Sequence, residues 1–217
     1  MLTATIPELR EDQLEDLVQT VLTRPDGPSR LELPLGLDRD GFLAFCARNP
    51  DLRTELEADG TVTIMSPIVS LSTEHEDEAY DQLKAWWRRN GRVGKVYGSS
   101  AGFTLPSGAV KSPDASWVSP ERLADVPAEE HDHFMRVVPD FVIEVRSKSD
   151  SLAKLKRKMR DTWLDAGVRL AWLLDPRKKR AYVYRPSTEV EEVSDFTGQL
   201  DASDVVPGFV FELGEFE

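Results

Sequence analysis

Residues 139–175 read PDFVIEVRSKSDSLAKLKRKMRDTWLDAGVRLAWLLD, and this stretch decides the fold. Residues 141–145 are apolar at nearly every position, as in a central strand that is covered on both faces. A helix ending at Gly167 is predicted next, and its stripe consists of Leu152, Leu155, Met159, Thr162 or Trp163, and Ala166. A second apolar run follows at residues 168–175. The strand–helix–strand order predicts two parallel strands joined by a right-handed crossover.

Further elements are predicted on both sides of this unit. The runs RTELEA and TVTIMSP flank Asp59–Gly60, which indicates a β-hairpin. Helical spacing of apolar residues predicts a helix at residues 9–22, a short one in RDGFLAFCARNP that stops at Asn49–Pro50, and one that begins after Ser72 or Thr73 and ends at NGRVG. Additional strands are predicted in GKVYGS, AGFTLP, AVKSPDASWVS, RAYVYRP and GFVFEL. A parallel strand pair and a hairpin, mixed around one long helix, indicate the α/β or α+β class.

Composition limits the kinds of protein this chain can be. It has 217 residues with 27 basic and 39 acidic side chains, a net charge of −12. Such a charge argues against binding nucleic acid over the whole surface, although a local basic groove is compatible with it. The basic clusters at residues 154–160 and 177–180 are candidates for that groove; the alternative is a solvated helix face and a charged turn.

Cellular location is predicted from what the chain lacks. No apolar run approaches the roughly 18 residues of a membrane helix, and the N-terminus lacks the layout of a secretory signal. The single cysteine, Cys46, excludes an intramolecular disulfide and is expected to fill the core. A cytoplasmic protein with no membrane partner is therefore expected.

Three acids occur at or near strands, where acids are disfavoured. Asp140 and Glu144 share a face of their strand but lie about 13 Å apart, at about 3.3 Å per residue. They cannot both ligate one ion whose oxygen ligands lie at about 2.1 Å. Glu144 therefore needs a partner from a neighbouring strand, for which Asp114 is the best candidate, while Asp140 is expected to begin its strand.

Two carboxylates with a nearby cation are typical of metal-dependent phosphodiester cleavage. Asp114 and Glu144 would hold the ion, and Arg146, two residues after Glu144, would offset charge that develops in the transition state. The alternative is that these acids are structural and only mark strand ends. Residue spacing alone leaves both interpretations open.

The sequence resembles the Uma2 family, which belongs to the restriction-endonuclease-like PD-(D/E)xK superfamily. The resemblance is carried, in order, by RTELEADGTVTIMSP, GFTLPSGAVKSPDASWVSPERL, PDFVIEVRSKSDSLAKLKRKMRDTWLDAGVRLAWLLDPRKKRAYVYRP and PGFVFEL. It covers roughly residues 38–213. It implies a restriction-endonuclease-like domain at 38–217, with a mixed central sheet flanked by helices. Residues 1–37 are then expected to form a helical or hairpin extension.

The resemblance also implies roles for individual residues. Asp114 and Glu144 correspond to the metal-binding acids, and Glu55 corresponds to the family's glutamate. At the position of the superfamily's lysine, two residues after Glu144, this chain has Arg146. The resemblance implies that Lys158, on the following helix, takes the role of that lysine. Nucleic-acid contacts are expected from Arg146, Lys148, His75 and Lys154. Each residue also has a structural alternative. Glu55 could be a surface acid, and His75 could form a hydrogen bond at the start of its helix. Lys158 could be another solvated cation of the basic cluster.

These inferences together predict an endonuclease that uses Mg²⁺, for which Mn²⁺ can substitute. Its partner is expected to be nucleic acid, with DNA favoured, and a homodimer is expected because related nucleases that cut both strands act as dimers. The alternative is a catalytically silent module on the same fold that binds nucleic acid or a partner protein. The acidic net charge and the missing Glu-x-Lys favour that alternative.

Overall fold

A computed structural model describes residues 30–65 and 70–216 of the chain. These residues fall into two compact units. Unit 1 comprises residues 30–65 with 106–111, and unit 2 comprises residues 70–105 with 112–216. The helix predicted at residues 9–22 lies outside the described residues, and the domain boundary at residue 37 stays a prediction.

Short strands outnumber the helices in the described residues. The strands are β1 (Arg30–Leu33), β2 (Arg53–Leu56), β3 (Val62–Met65), β4 (Lys95–Gly98), β5 (Phe103–Thr104), β6 (Val110–Lys111), β7 (Ala115–Val118), β8 (Phe141–Val145), β9 (Leu170–Asp175), β10 (Arg180–Tyr184), β11 (Glu191–Val193), β12 (Gln199–Asp201) and β13 (Val210–Glu212). The α-helices are α1 (Arg39–Arg48), α2 (Ser70–Arg89), α3 (Pro120–Ala124) and α4 (Leu152–Arg157), and α4 continues as a π-helix over Lys158–Leu164. None of the helices in the described ranges could span a membrane.

Unit 1 is built on the predicted hairpin. β2 and β3 pair antiparallel, and the Thr61 N–H donates to Asp59 Oδ1 at 2.9 Å in the turn between them. β1 pairs with the other side of β3, and β6 with β2, so the strand order is β1–β3–β2–β6. Residues 30–33, within the segment predicted as an extension, therefore form a strand of this sheet.

Unit 2 contains a six-stranded sheet in the order β11–β10–β9–β8–β7–β4. β8 and β9 are parallel, as the strand–helix–strand pattern predicted, and their other neighbours are antiparallel. Helix α2 packs on one face of the sheet through Ala79, Leu83 and Trp86. Leu155, Met159 and Trp163 of α4 and its π-helical continuation belong to the second core cluster, on the opposite face. The predicted mixed sheet with helices on both faces is present.

The second half of the predicted helix is not α-helical. Residues 158–164 form a π-helix, in which the backbone bonds run from i to i+5 instead of i to i+4. The spacing of apolar residues predicted the helix but not this wider turn. π-helical turns are rare and often occur at functional sites.

The hairpin turn provides a test of local packing. Gly60 has φ +82°, and a Cβ there would lie 2.7 Å from the backbone of Gly36, whereas Gly108 has φ +88° with open space around it. We expect Gly60→Ala to destabilise the protein by about 1–3 kcal/mol more than Gly108→Ala, because only Gly60→Ala adds a clash to the backbone strain. Urea unfolding of both variants measures the difference, and equal losses would contradict the described packing of Gly60.

Candidate active site

Asp114 and Glu144 meet where β7 and β8 pair. Ala115 is paired with Ile143, so continuing the antiparallel register by one residue places Asp114 opposite Glu144. Both acids are buried. Asp114 is also tied directly to β8, because its Oδ2 accepts the Val145 N–H at 2.7 Å. The two strands are therefore adjacent, as a shared metal ion requires.

Glu144 lies in a strand whose other residues are apolar and buried, and two side chains compensate its charge. Trp163 Nε1 donates to Glu144 Oε1 at 2.8 Å, and Lys158 Nζ lies 2.8 Å from the same oxygen. Within the described residues, Glu144 Oε2 accepts no hydrogen bond. One carboxylate oxygen is thus held by the protein, and the other remains available for a ligand.

The π-helical turn explains how both partners reach Glu144. Lys158 and Trp163 are five residues apart, and in an α-helix residues three or four apart, not five, share a face. Hydrogen bonding from i to i+5 widens the turn and brings residues five apart toward the same side. The local helix geometry therefore places an amine and an indole N–H on one carboxylate oxygen.

Asp140, the other Pro-Asp acid, begins its strand as predicted. Its Oδ2 accepts the Ser119 N–H at 2.8 Å, and its Oδ1 lies 3.2 Å from Arg122 Nε and 3.5 Å from Arg169 Nη1. These contacts join the end of β7, helix α3 and the start of β9. Asp140 is a structural acid at the opposite end of β8 from Glu144.

Arg146 has a structural partner. Its Nη1 lies 2.6 Å from Oδ2 of the fully buried Asp175, and its Nε donates to the Asp150 carbonyl at 3.2 Å. The pair with Asp175 connects the residue after β8 to the end of β9. The phosphate contact expected of Arg146 stays a prediction.

The other cations expected to contact nucleic acid lie in different places. Lys148 is exposed in the loop after β8, and its carbonyl accepts Arg177 Nη1 at 3.3 Å. Lys154 is exposed on α4. His75 stacks on Phe216, with ring centroids 5.2 Å apart, so its ring packs against the end of the described chain. Their contacts with nucleic acid stay predictions.

Glu55 is in unit 1, where the sequence analysis missed its partner. Its Oε2 lies 3.2 Å from Nζ of Lys111, a buried lysine that also contacts Glu57 Oε1. In the same unit, Cys46 Sγ lies 3.4 Å from Thr54 Oγ1, and burial raises the pKa of the thiol. A protonated thiol is a poor nucleophile, which fits the structural role expected of Cys46. A catalytic role for Glu55 stays a prediction.

An open cleft of about 270 Å³ lies beside Asp114 in unit 2. Its lining residues are Glu76, Asp77, Tyr80, Gly98, Ser99, Ser100 and Asp114. In the part of the chain that the structure describes, no group of three His, Cys, Asp or Glu side chains forms a metal site. Mg²⁺ is commonly held by one or two carboxylates and several waters, so a two-carboxylate site suits it.

Sequence reasoning missed the cleft residues of α2 as well as Trp163. Glu76 and Asp77 follow His75 directly, and the acid-rich run HEDE was the available signal for them. Trp163 was assigned to the apolar stripe of its helix, and nothing local distinguishes an indole that donates to a buried acid from one that only packs. Its contact with Glu144 depends on a strand 19 residues away.

Comparison with known proteins agrees with the motifs. The family model described as "Uma2: Putative restriction endonuclease" matches residues 39–214. The chain is also similar to a crystal structure of "a putative nuclease belonging to DUF820 from Anabaena variabilis", with a TM-score of 0.66 and 19% sequence identity, over 83% of this chain and 97% of that one. No curated protein matches. The predicted fold class and family resemblance are confirmed.

The contribution of the Trp163–Glu144 hydrogen bond to stability can be measured by replacing each of two buried tryptophans with phenylalanine. Trp163 and Trp172 are both fully buried in unit 2, but Trp172 Nε1 has no hydrogen-bond partner among the described residues. We expect Trp163→Phe to lower the free energy of unfolding by about 1.5–3 kcal/mol more than Trp172→Phe, because only the first loses a bond to an ionised acceptor. Urea unfolding checks this, and equal losses would show that the Trp163 N–H contributes nothing.

Proposed function

Because the chain belongs to the Uma2 family, we propose that it is a divalent-metal-dependent nuclease that hydrolyses phosphodiester bonds of DNA. Proteins of the restriction-endonuclease-like class generally use divalent metal ions. The observation that carries the proposal is the juxtaposition of Asp114 and Glu144 on paired strands, with Lys158 on the same carboxylate. A homodimer is part of the proposal, since duplex cleavage requires attack on two strands.

The proposed metal ligands are Asp114 and Glu144. Oxygen donors from two carboxylates suit Mg²⁺ or Mn²⁺, and Glu144 has one oxygen that the described residues leave unbonded. A divalent ion bound there would polarise the phosphodiester and lower the pKa of a bound water. Trp163 and the Val145 N–H support the site by fixing the orientation of the two carboxylates.

Lys158 is proposed to hold the attacking water. A lysine ammonium has three donors, of which one is directed to Glu144 Oε1. The side chain is 13% exposed, so it is partly accessible from solvent. The ammonium can position a water beside the carboxylate and neutralise charge that develops on the phosphate. A catalytic role for Glu55, directly or through water, is also part of the proposal.

Metal binding tests the proposed ligands. We expect Asp114→Asn and Glu144→Gln each to abolish Mn²⁺ binding and cleavage, because each replaces a charged ligand with a neutral amide. Asn can still accept the Val145 N–H, so Asp114→Asn should fold. Calorimetric titration with Mn²⁺, and incubation with DNA and RNA substrates, provide the readouts. Asp165→Asn, which removes an exposed acid from the same unit, is the control.

The opposite result would favour a different function. If the wild type binds nucleic acid but neither binds Mn²⁺ nor cleaves, the chain is a silent binding module on this fold. The Lys158–Glu144 ion pair is the observation that favours this second function, because it already neutralises one of the two acids.

Replacing Lys158 with alanine should affect catalysis, whereas replacing Arg146 with alanine should affect stability. Lys158→Ala should lower single-turnover cleavage by about 100-fold or more while leaving Mn²⁺ binding intact, because its role is in the transition state. Arg146→Ala should lower the free energy of unfolding by about 3 kcal/mol, because it leaves the buried Asp175 carboxylate unpaired. Rapid-quench kinetics and urea unfolding measure the two effects. A stable Arg146→Ala that cannot cleave, beside an active Lys158→Ala, would contradict these assignments.

A further inference from the structure

The C-terminal half of α2 and the turn after it carry unneutralised positive charge. Between Asp81 and Asp114 the sequence has no acidic residue. We name its exposed or half-exposed cations the α2 basic patch: Lys84, Arg88, Arg89, Arg92 and Lys95. None of them forms an ion pair with a carboxylate in the described residues. Elsewhere in unit 2, ion pairs are made by Arg122, Arg136, Arg146, Lys158, Arg169, Arg180 and Arg185.

Two cations of the patch are held in place by Trp87. Lys84 Nζ lies 4.2 Å from the centre of the Trp87 ring, and Arg92 Cζ lies 5.6 Å from it. The ring is itself fixed, because Trp87 Nε1 donates to the Gly94 carbonyl at 3.0 Å and the side chain packs against the core. The patch therefore presents ordered cations, which lose less entropy on binding an anion than freely rotating ones.

Arg92 occupies a strained backbone position. Its φ is +59°, in the left-handed region that glycine and asparagine adopt more readily than arginine. The turn is closed by the Arg92 N–H, which donates to the Trp87 carbonyl at 2.9 Å. Such a position motivates the hypothesis that the side chain has a function.

Helix stability explains only part of the patch. Arg88 and Arg89 lie in the last turn of α2, where cations interact favourably with the helix dipole. Lys95 begins β4, at the edge of the sheet, where lysine discourages strand pairing. Neither effect explains Lys84, which lies earlier in the helix, or Arg92, which lies beyond its end.

The patch adjoins the cleft that Asp114 lines. Lys84 Nζ lies 5.8 Å from the centre of the Tyr80 ring, and Tyr80 lines the cleft together with Asp114. From Tyr80 to Arg88 the helix advances about 12 Å, at about 1.5 Å per residue. This distance corresponds to about three to four nucleotides along a duplex strand.

We propose that the α2 basic patch binds the phosphate backbone of the nucleic-acid strand that extends from the cleft. This inference rests on the proposed function and assigns substrate contacts to residues 84–95. The patch is on α2 and the start of β4, whereas Arg146 and Lys148 follow β8 and Lys154 is on α4. Charge complementarity identifies the ligand: in a protein of net charge −12, the segment between Asp81 and Asp114 contains no acidic residue, and the phosphate backbone is a linear array of anions.

Single-charge variants test the patch without requiring cleavage. Lys84→Gln and Arg92→Asn each remove one cation, and asparagine tolerates the left-handed backbone at position 92. The control is Arg136→Gln, because Arg136 is also an exposed cation of unit 2 but lies outside the patch and pairs with Glu130. Fluorescence anisotropy with labelled single- and double-stranded DNA and RNA, without divalent ions and over a range of salt concentrations, measures affinity.

We expect each patch variant to bind about tenfold more weakly near 0.1 M salt and to lower the salt slope of log K by about 0.9, with thermal stability unchanged. Arg136→Gln should bind like the wild type. The inference is overturned if the patch variants bind like the wild type, if Arg136→Gln weakens binding equally, or if the wild type binds none of the probes. Metal-dependent cleavage by patch variants of unchanged affinity would overturn this inference and leave the proposed function standing.

Discussion

Glu144 is an acid within a strand whose other residues are apolar and buried, and a buried carboxylate is costly unless it is paired and hydrogen-bonded. Trp163 and Lys158 meet this requirement, and both do so at the same oxygen. These two residues are five apart in a π-helix, whose wider turn brings residues at that separation toward the same side. The buried charge of Glu144 therefore depends on the geometry of this helix. The same geometry fixes the position of Lys158, the candidate catalytic lysine.

The two Pro-Asp pairs show how one sequence signal serves two purposes. β7 and β8 are antiparallel, so the residue that precedes each strand lies beside the end of the other. Asp140 meets the backbone of Ser119 and two arginines, and its charge holds elements together. Asp114 meets the end of β8 beside Glu144 and lines an open cleft. The Pro-Asp dipeptide is the same in both places, so the pairing of the strands determines that Asp140 is structural and Asp114 is a candidate metal ligand.

Much of the fold was predictable because it depends on local patterns. The hairpin around Asp59–Gly60 and the parallel pair β8 and β9 follow from alternation, apolar runs and turn residues. The choice of Lys158 came from the family resemblance, since nothing in the basic cluster 154–160 distinguishes it. Trp163 and Lys111 were missed because their partners lie 19 and 56 residues away in the sequence. Contacts at such separations depend on the assembled sheet.

The central claim is that Asp114 and Glu144 together hold one divalent ion. Anomalous diffraction from crystals grown with Mn²⁺ tests this most directly, because it locates the ion without relying on activity. We expect a peak about 2.1 Å from one carboxylate oxygen of each residue. A fully occupied ion elsewhere on the chain, or no peak near either acid at saturating Mn²⁺, would contradict it.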